Sequence, residues 1–108
     1  MSRKRKAYEK AKTTPEESHY PTENHRELFR AVLSLKNIEE AVRFFRDLLT
    51  LSEIEEFSQR WQIAKLLYRG HSYLEVADKT GASTTTVARV AKWLFEGKDG
   101  YITLLRRI

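Results

Sequence analysis

Between residues 71 and 94 the chain reads HSYLEVADKTGASTTTVARVAKWL. A small residue, Ala77, is followed four positions later by Gly81, and Val87 and Val90 come six and nine positions beyond the glycine. Two short helices can cross at close range only where the crossing residue is small and the turn between them accepts positive φ. Ala77 meets the first condition and Gly81 the second. Val76 precedes the alanine, and Val87 and Val90 pin the second helix onto the first. The spacing predicts a helix-turn-helix over 72–95. Its first helix runs from Ser72 to Lys79 and is closed by Gly81; the second follows its N-cap, Ser83, and ends before Gly97.

The second helix has two chemically distinct sides. Val87, Val90, Ala91 and Leu94 recur at i, i+3, i+4 and i+7 and form its inward row. Thr84, Thr85, Ala88, Arg89 and Lys92 therefore project outward, with no acid among them. Such a face suits the major groove of DNA: a guanidinium can bond the acceptors of guanine, and threonine methyls or alanine can touch thymine methyls. A plain solvent face with capping threonines is the alternative. Three consecutive threonines are poor helix formers, however, so stability alone accounts badly for them. Ser83, Thr84, Thr85, Ala88, Arg89 and Lys92 are the expected DNA contacts on this helix.

Net charge sharpens the picture only once it is located. The formal charge is +5, yet residues 1–12 hold six basic side chains against one acid, Glu9, which leaves 14 basic and 14 acidic residues elsewhere. The basic character belongs to an N-terminal arm and not to the body. Residues 1–22 lack apolar periodicity and contain Pro15 and Pro21, so a mobile arm is expected there, with at most a helical turn at Pro15-Glu16-Glu17. The run reads either as a solvated terminus or as an arm that follows phosphates or enters a minor groove, with Arg3, Lys4, Arg5 and Lys6 as contacts.

From Glu23 onward, helical spacing takes over, and residues 23–108 are expected to form a helical dimerisation and DNA-binding domain. Leu28, Ala31, Val32 and Leu35 make one stripe. Asn37 reads as an N-cap with Glu40 as its capping-box partner, opening a helix with Ile38, Ala41, Val42, Phe45 and Leu48. A third helix starts at Thr50 or Ser52, since Glu53 and Glu55 lie three residues beyond each. It runs through Ile54, Phe57, Trp61, Ala64, Leu67 and Tyr68 and stops at Gly70. A last helix runs from Asp99 through Leu105. Phe29, Leu33 and Phe44 fall outside the single stripe that a surface helix needs. Either a compact monomer or a dimer seam would cover them, and symmetric association is the reading favoured here. No stretch alternates like a strand; the fold class is all-α with six helices.

With these elements in view, the chain resembles the Trp repressor family over about residues 23–105. The likeness is clearest over 49–94, where Leu49-Thr50, Glu53, Arg60, Leu67, Arg69-Gly70, Gly81-Ala82, Thr86-Val87 and Arg89 recur in register, with one residue missing after Gly70. The resemblance implies an intertwined homodimer that presents one helix-turn-helix per subunit to successive major grooves, with an N-terminal arm that also approaches DNA. It further implies an effector pocket: residues matching Thr50, Arg60 and Arg89 hold tryptophan in members that bind it. The positions that make room for the indole differ, because Val90 stands where those members have a glycine and Trp93 where they have a serine. Overpacking a filled site costs about 1–3 kcal/mol or more. The expectation is a retained DNA-binding scaffold without a tryptophan corepressor, and no cofactor otherwise.

Other chemistries find little footing. With no cysteine, the chain has no disulfide framework, thiolate zinc site or cysteine nucleophile. His19, His25 and His71 lack metal-ligand spacing. Glu39-Glu40 and Glu53, Glu55 and Glu56 read as helix-start carboxylates. Trp61 and Trp93 read as core or seam before ligand platform, and Arg60 as surface charge or carboxylate ligand. An enzyme is not expected. The function expected is a sequence-specific, repressor-like transcriptional regulator acting as a homodimer on double-stranded DNA. The alternative is a helical ligand-sensing or protein-interaction module that no longer binds DNA. Absence of an 18-residue apolar run or a signal-like segment favours a cytoplasmic location.

Overall fold

The computed structural model describes residues 19–108, so Arg3, Lys4, Arg5, Lys6 and the turn expected at 15–17 lie outside the described residues. Every regular element among the described residues is an α-helix: α1 Glu23–Leu33, α2 Ile38–Leu48, α3 Leu51–Tyr68, α4 Tyr73–Thr80, α5 Thr84–Glu96 and α6 Gly100–Leu105. The chain divides into two units, with the boundary between Phe44 and Phe45 inside α2.

In the first unit, helix starts are set by local hydrogen bonds. Thr22 caps α1: its hydroxyl accepts from the His25 N–H at 3.2 Å, and His25 Nδ1 accepts from the Thr22 N–H at 3.0 Å. Imidazole here takes the place that glutamate or glutamine holds in the usual capping box, which is why the sequence pattern did not reveal it. Asn37 Oδ1 accepts from the Glu40 N–H at 2.8 Å, as expected. The return bond is displaced by one residue, because the Glu40 carboxylate accepts from the Lys36 N–H at 3.0 Å and not from Asn37. Neither α1 nor α2 contains a buried residue. Leu33, Ile38 and Val42 are 83%, 74% and 62% exposed.

The second unit holds the core. Ile63, Ala64 and Leu67 of α3 pack with Val76 of α4, Val87, Val90, Ala91 and Leu94 of α5, and Leu105 of α6. Trp61, Leu66, Ala77, Ala82, Tyr101 and Ile102 pack around that cluster. The inward row expected on α5 is buried throughout. The apolar residues of α3 divide between core and surface. Ala64 and Leu67 are buried, but Phe57 and Tyr68 are 46% and 43% exposed, whereas Ile63 is fully buried. Apolar residues encircle α3, so periodicity could not say which of them face α4, α5 and α6.

Caps settle the remaining boundaries. Thr50, rather than Ser52, starts α3: its hydroxyl accepts from the Glu53 N–H at 3.1 Å, and Glu53 accepts from the Thr50 N–H at 2.9 Å. Gly81 closes α4 at φ +77°, ψ +4°, with its N–H donating to the Ala77 carbonyl at 2.9 Å. A Cβ at Gly81 would meet nothing within 4 Å. The glycine is thus required for its backbone angle and not for space. Gly97 is the opposite case, because a Cβ there would collide with the Trp93 carbonyl oxygen.

Gly81→Ala should therefore cost about 1–2 kcal/mol, the left-handed penalty alone. In a thermal melt this is a loss of roughly 4–8 °C per kcal/mol. An unchanged midpoint would mean that the turn relaxes out of the left-handed region.

Candidate nucleic-acid interface

The turn between α4 and α5 spans only residues 81–83, and it is tied down at both ends. Thr80 Oγ1 donates to the Val76 carbonyl at 2.7 Å and accepts from the Ala82 N–H at 3.3 Å. Gln59 of α3 donates from Nε2 to the Thr80 carbonyl at 3.3 Å, which ties the end of α4 to α3. Ser83 then caps α5: its Oγ accepts from the Thr86 N–H at 3.1 Å and donates to Thr86 Oγ1 at 3.1 Å. The Ser83 side chain is exposed, but its hydroxyl is already engaged in the cap.

Beyond the cap, Thr84, Thr85, Ala88, Arg89 and Lys92 are all exposed, and Val87, Val90, Ala91 and Leu94 on the opposite side are buried. The first turn of α5 carries no acid. Its unpaired N–H groups and partial positive charge are left uncompensated, an arrangement suited to an anion. These residues thus form one continuous face of hydroxyls, methyls and two cations.

The other predicted residues separate into two places. Arg60, Arg89, Val90 and Trp93 line one narrow cleft of about 120 Å³ between α3 and α5, together with Glu56, Gln59 and Thr86. Thr50 is not among its lining residues; it caps α3 ten residues before Arg60, roughly 15 Å of axial rise away. Within the cleft, the Arg60 guanidinium lies 5.5 Å from the centre of the Phe57 ring and 5.2 Å from that of Trp93. It also reaches Glu56 at 3.4 Å. Val90 is fully buried and Trp93 is 44% exposed. Trp61 instead stacks on Tyr101, with ring centres 6.3 Å apart. Burial pushes the Tyr101 hydroxyl above its ordinary range, and the nearby positive charge of Arg60 partly opposes this.

Sequence reasoning missed Gln59, Thr80 and Phe57. Phe57 and Glu56 stand three and four residues before Arg60, a spacing at which side chains on one helix meet, so that signal was available. The Gln59–Thr80 contact joins residues 21 apart and leaves no local trace. A wider depression of about 550 Å³ is lined by Glu55, Glu56, Ser58, Gln59, Gln62, Leu66, Lys79 and Thr80. Among the described residues there is no group of three or more His, Cys, Asp or Glu able to hold a metal ion.

The family model described as Trp repressor protein matches residues 23–108. This chain belongs to the Trp repressor family. It is 44% identical over 82 residues to the uncharacterized protein YerC of Bacillus subtilis (strain 168), covering 76% of this chain and 79% of that one. A TrpR-like protein from Eubacterium eligens has a crystal structure that superposes with a TM-score of 0.80 at 44% identity, over 83% of this chain and 93% of that chain. A candidate Trp repressor from Staphylococcus aureus matches with a TM-score of 0.80 at 39% identity, over 87% and 94% of the two chains. The six-helix, all-α fold expected from the sequence is thus the Trp-repressor-like fold.

The start of α4 supplies a pH test of this region. Glu75 accepts from the Ser72 N–H at 2.8 Å, and the Ser72 hydroxyl caps the helix in return. Hydrogen bonding from the Ser72 backbone, then from its side chain, holds the Glu75 carboxyl below its ordinary value of 4.5, with smaller help from His71 and Lys79. A depressed folded-state pKa contributes stability above the unfolded value and loses it as pH falls through the folded one. Glu75→Gln should flatten the fall of melting temperature between about pH 5 and pH 3, followed by circular dichroism. Parallel curves for wild type and variant would place the acid sensitivity elsewhere.

Proposed function

We propose that this member of the Trp repressor family is a sequence-specific DNA-binding transcriptional regulator acting as a homodimer. The observation that carries the reading is the exposed, acid-free face of α5, set off from α4 by the Gly81 bend. Arg89 is placed to bond a guanine edge, Thr84, Thr85 and Ala88 to meet thymine methyls or phosphates, and Lys92 to pair with a phosphate. Ser83 contributes through its backbone and cap geometry. The basic arm, with Arg3, Lys4, Arg5 and Lys6, adds phosphate contacts that carry no sequence information.

The homodimer rests on α1 and α2. Leu33, Ile38 and Val42 are more than 60% exposed and need cover, and an intertwined arrangement of residues 23–108 would supply it. We assign no tryptophan corepressor: Val90, which is fully buried, and Trp93 line the cleft between α3 and α5, and bulk at positions that would have to make room for an indole costs binding. Catalysis forms no part of this reading. Among the described residues no helix is long and apolar enough to cross a membrane, and a cytoplasmic regulator is the setting we propose.

The second reading, a protein-interaction or ligand-sensing module, is favoured by the charge balance of residues 13–108, which is neutral. A mobility-shift series with genomic fragments at low and moderate salt separates the two. Retention should fall with salt at a slope near −0.9 per phosphate contacted, and removal of residues 1–12 should flatten that slope. Arg89→Ala should relax preference at one base pair by roughly 1–3 kcal/mol. Absence of any shift at low salt would leave the module reading standing.

A further inference from the structure

The core between α3 and α5 is built from Ile63, Ala64, Leu67, Val87, Val90, Ala91 and Leu94. Contacts among such short apolar side chains hold two helices together but are non-directional. They resist separation more strongly than a small rotation or slide of one helix on the other. A directional contact stands beside them. Arg60 of α3 is clasped between Phe57 on its own helix and Trp93 on α5, at 5.5 and 5.2 Å. Stacking of a planar guanidinium on a ring depends on orientation as well as distance. The acidic partner of Arg60, Glu56 at 3.4 Å, is mostly exposed and holds it only weakly.

Trp93 lies one residue beyond Lys92 and four beyond Arg89, on the helix whose outer face is proposed to meet DNA. We infer that Arg60 and Trp93 act as a built-in strut that holds α5 in its DNA-facing pose, so that no small-molecule effector is needed between α3 and α5. The inference rests on the DNA-binding reading above. It makes Trp93 and Arg60 positioning residues, acting through Arg89 and Lys92. The space a ligand would need is occupied from within: Val90 is fully buried, and with Trp93 it bounds a cleft of about 120 Å³.

The test compares wild type, Trp93→Ala, Trp93→Phe, Arg60→Ala and the Trp93→Ala/Arg60→Ala pair, each well below its melting temperature. Two readouts are taken: affinity for a genomic duplex over a salt series, and hydrogen exchange along α5. Trp93→Ala and Arg60→Ala should each weaken binding by roughly fivefold, the scale of one stacked cation. Trp93→Ala, which removes no charge, should leave the salt slope unchanged. Trp93→Phe should keep most of the affinity. The double variant should be no weaker than the weaker single, the sign of one shared interaction. Exchange of α5 amides should quicken in both alanine variants, while α4 amides keep the wild-type rate.

Wild-type protein unfolded in guanidinium, dialysed and refolded to its original melting temperature should bind DNA as before. Loss of affinity after that treatment would overturn the inference by exposing a required ligand. Trp93→Ala binding within twofold of wild type, or multiplying losses in the double variant, would overturn it as well. Wild type that binds no DNA would instead sink the DNA-binding reading, and α5 exchange would still decide the strut.

Discussion

Ile63, Ala64 and Leu67 occupy the side of α3 toward which Val76, Val87, Val90, Ala91, Leu94 and Leu105 all converge. Each larger member of this set gains about 1.5–3 kcal/mol from leaving water, an upper figure because unfolded chains already bury some apolar surface. Helices of 8 and 6 residues such as α4 and α6 are marginal by themselves in water. They persist because one side of each closes onto α3. If that side of α3 were polar, the bend at Gly81 would have nothing to brace it, and the outward face of α5 would have no fixed direction.

Polar side chains then decide where α1 to α5 begin, whereas α6 starts after Asp99 with no side-chain cap. Thr22, Thr50 and Ser72 close reciprocal capping boxes, and Ser83 caps α5 without an acid partner. The difference has chemical meaning. Glu53 and Glu75 neutralise the positive ends of α3 and α4, whereas α5 keeps its first turn free of carboxylates. A helix whose start meets phosphate would be hindered by an acid there, while one that only needs a stable start would gain from it. The same division appears in the chain as a whole, with cations concentrated in residues 1–12 and the rest balanced.

Aromatic residues divide into two groups around α3. Trp61 turns toward Tyr101 of α6, and Phe57 and Trp93 enclose Arg60 on the side of α5. Membership of the Trp repressor family explains the shared helical frame, since structures at 39–44% identity superpose with TM-scores of 0.80. The frame does not by itself dictate what fills the space between α3 and α5. In this chain Val90 and Trp93 line what remains of it, a cleft of about 120 Å³, together with Arg60 and Arg89.

Much of this was legible in the residues alone. Ala77, Gly81 and Ser83 set two helices and the turn between them, because a left-handed glycine and a capping hydroxyl act within a few residues of themselves. The buried row Val87, Val90, Ala91 and Leu94 followed from 3.6-residue periodicity, and the outward set Thr84, Thr85, Ala88, Arg89 and Lys92 followed with it. Tertiary structure alone decided which side of α3 is buried. Apolar residues surround that helix, and only the positions of α4, α5 and α6 select Ile63 over Phe57. It also decided the Gln59–Thr80 bond and the Arg60–Trp93 cation–ring contact, which join residues 21 and 33 apart. Local spacing governs contacts within a turn or two of helix; contacts across elements depend on how the chain closes upon itself.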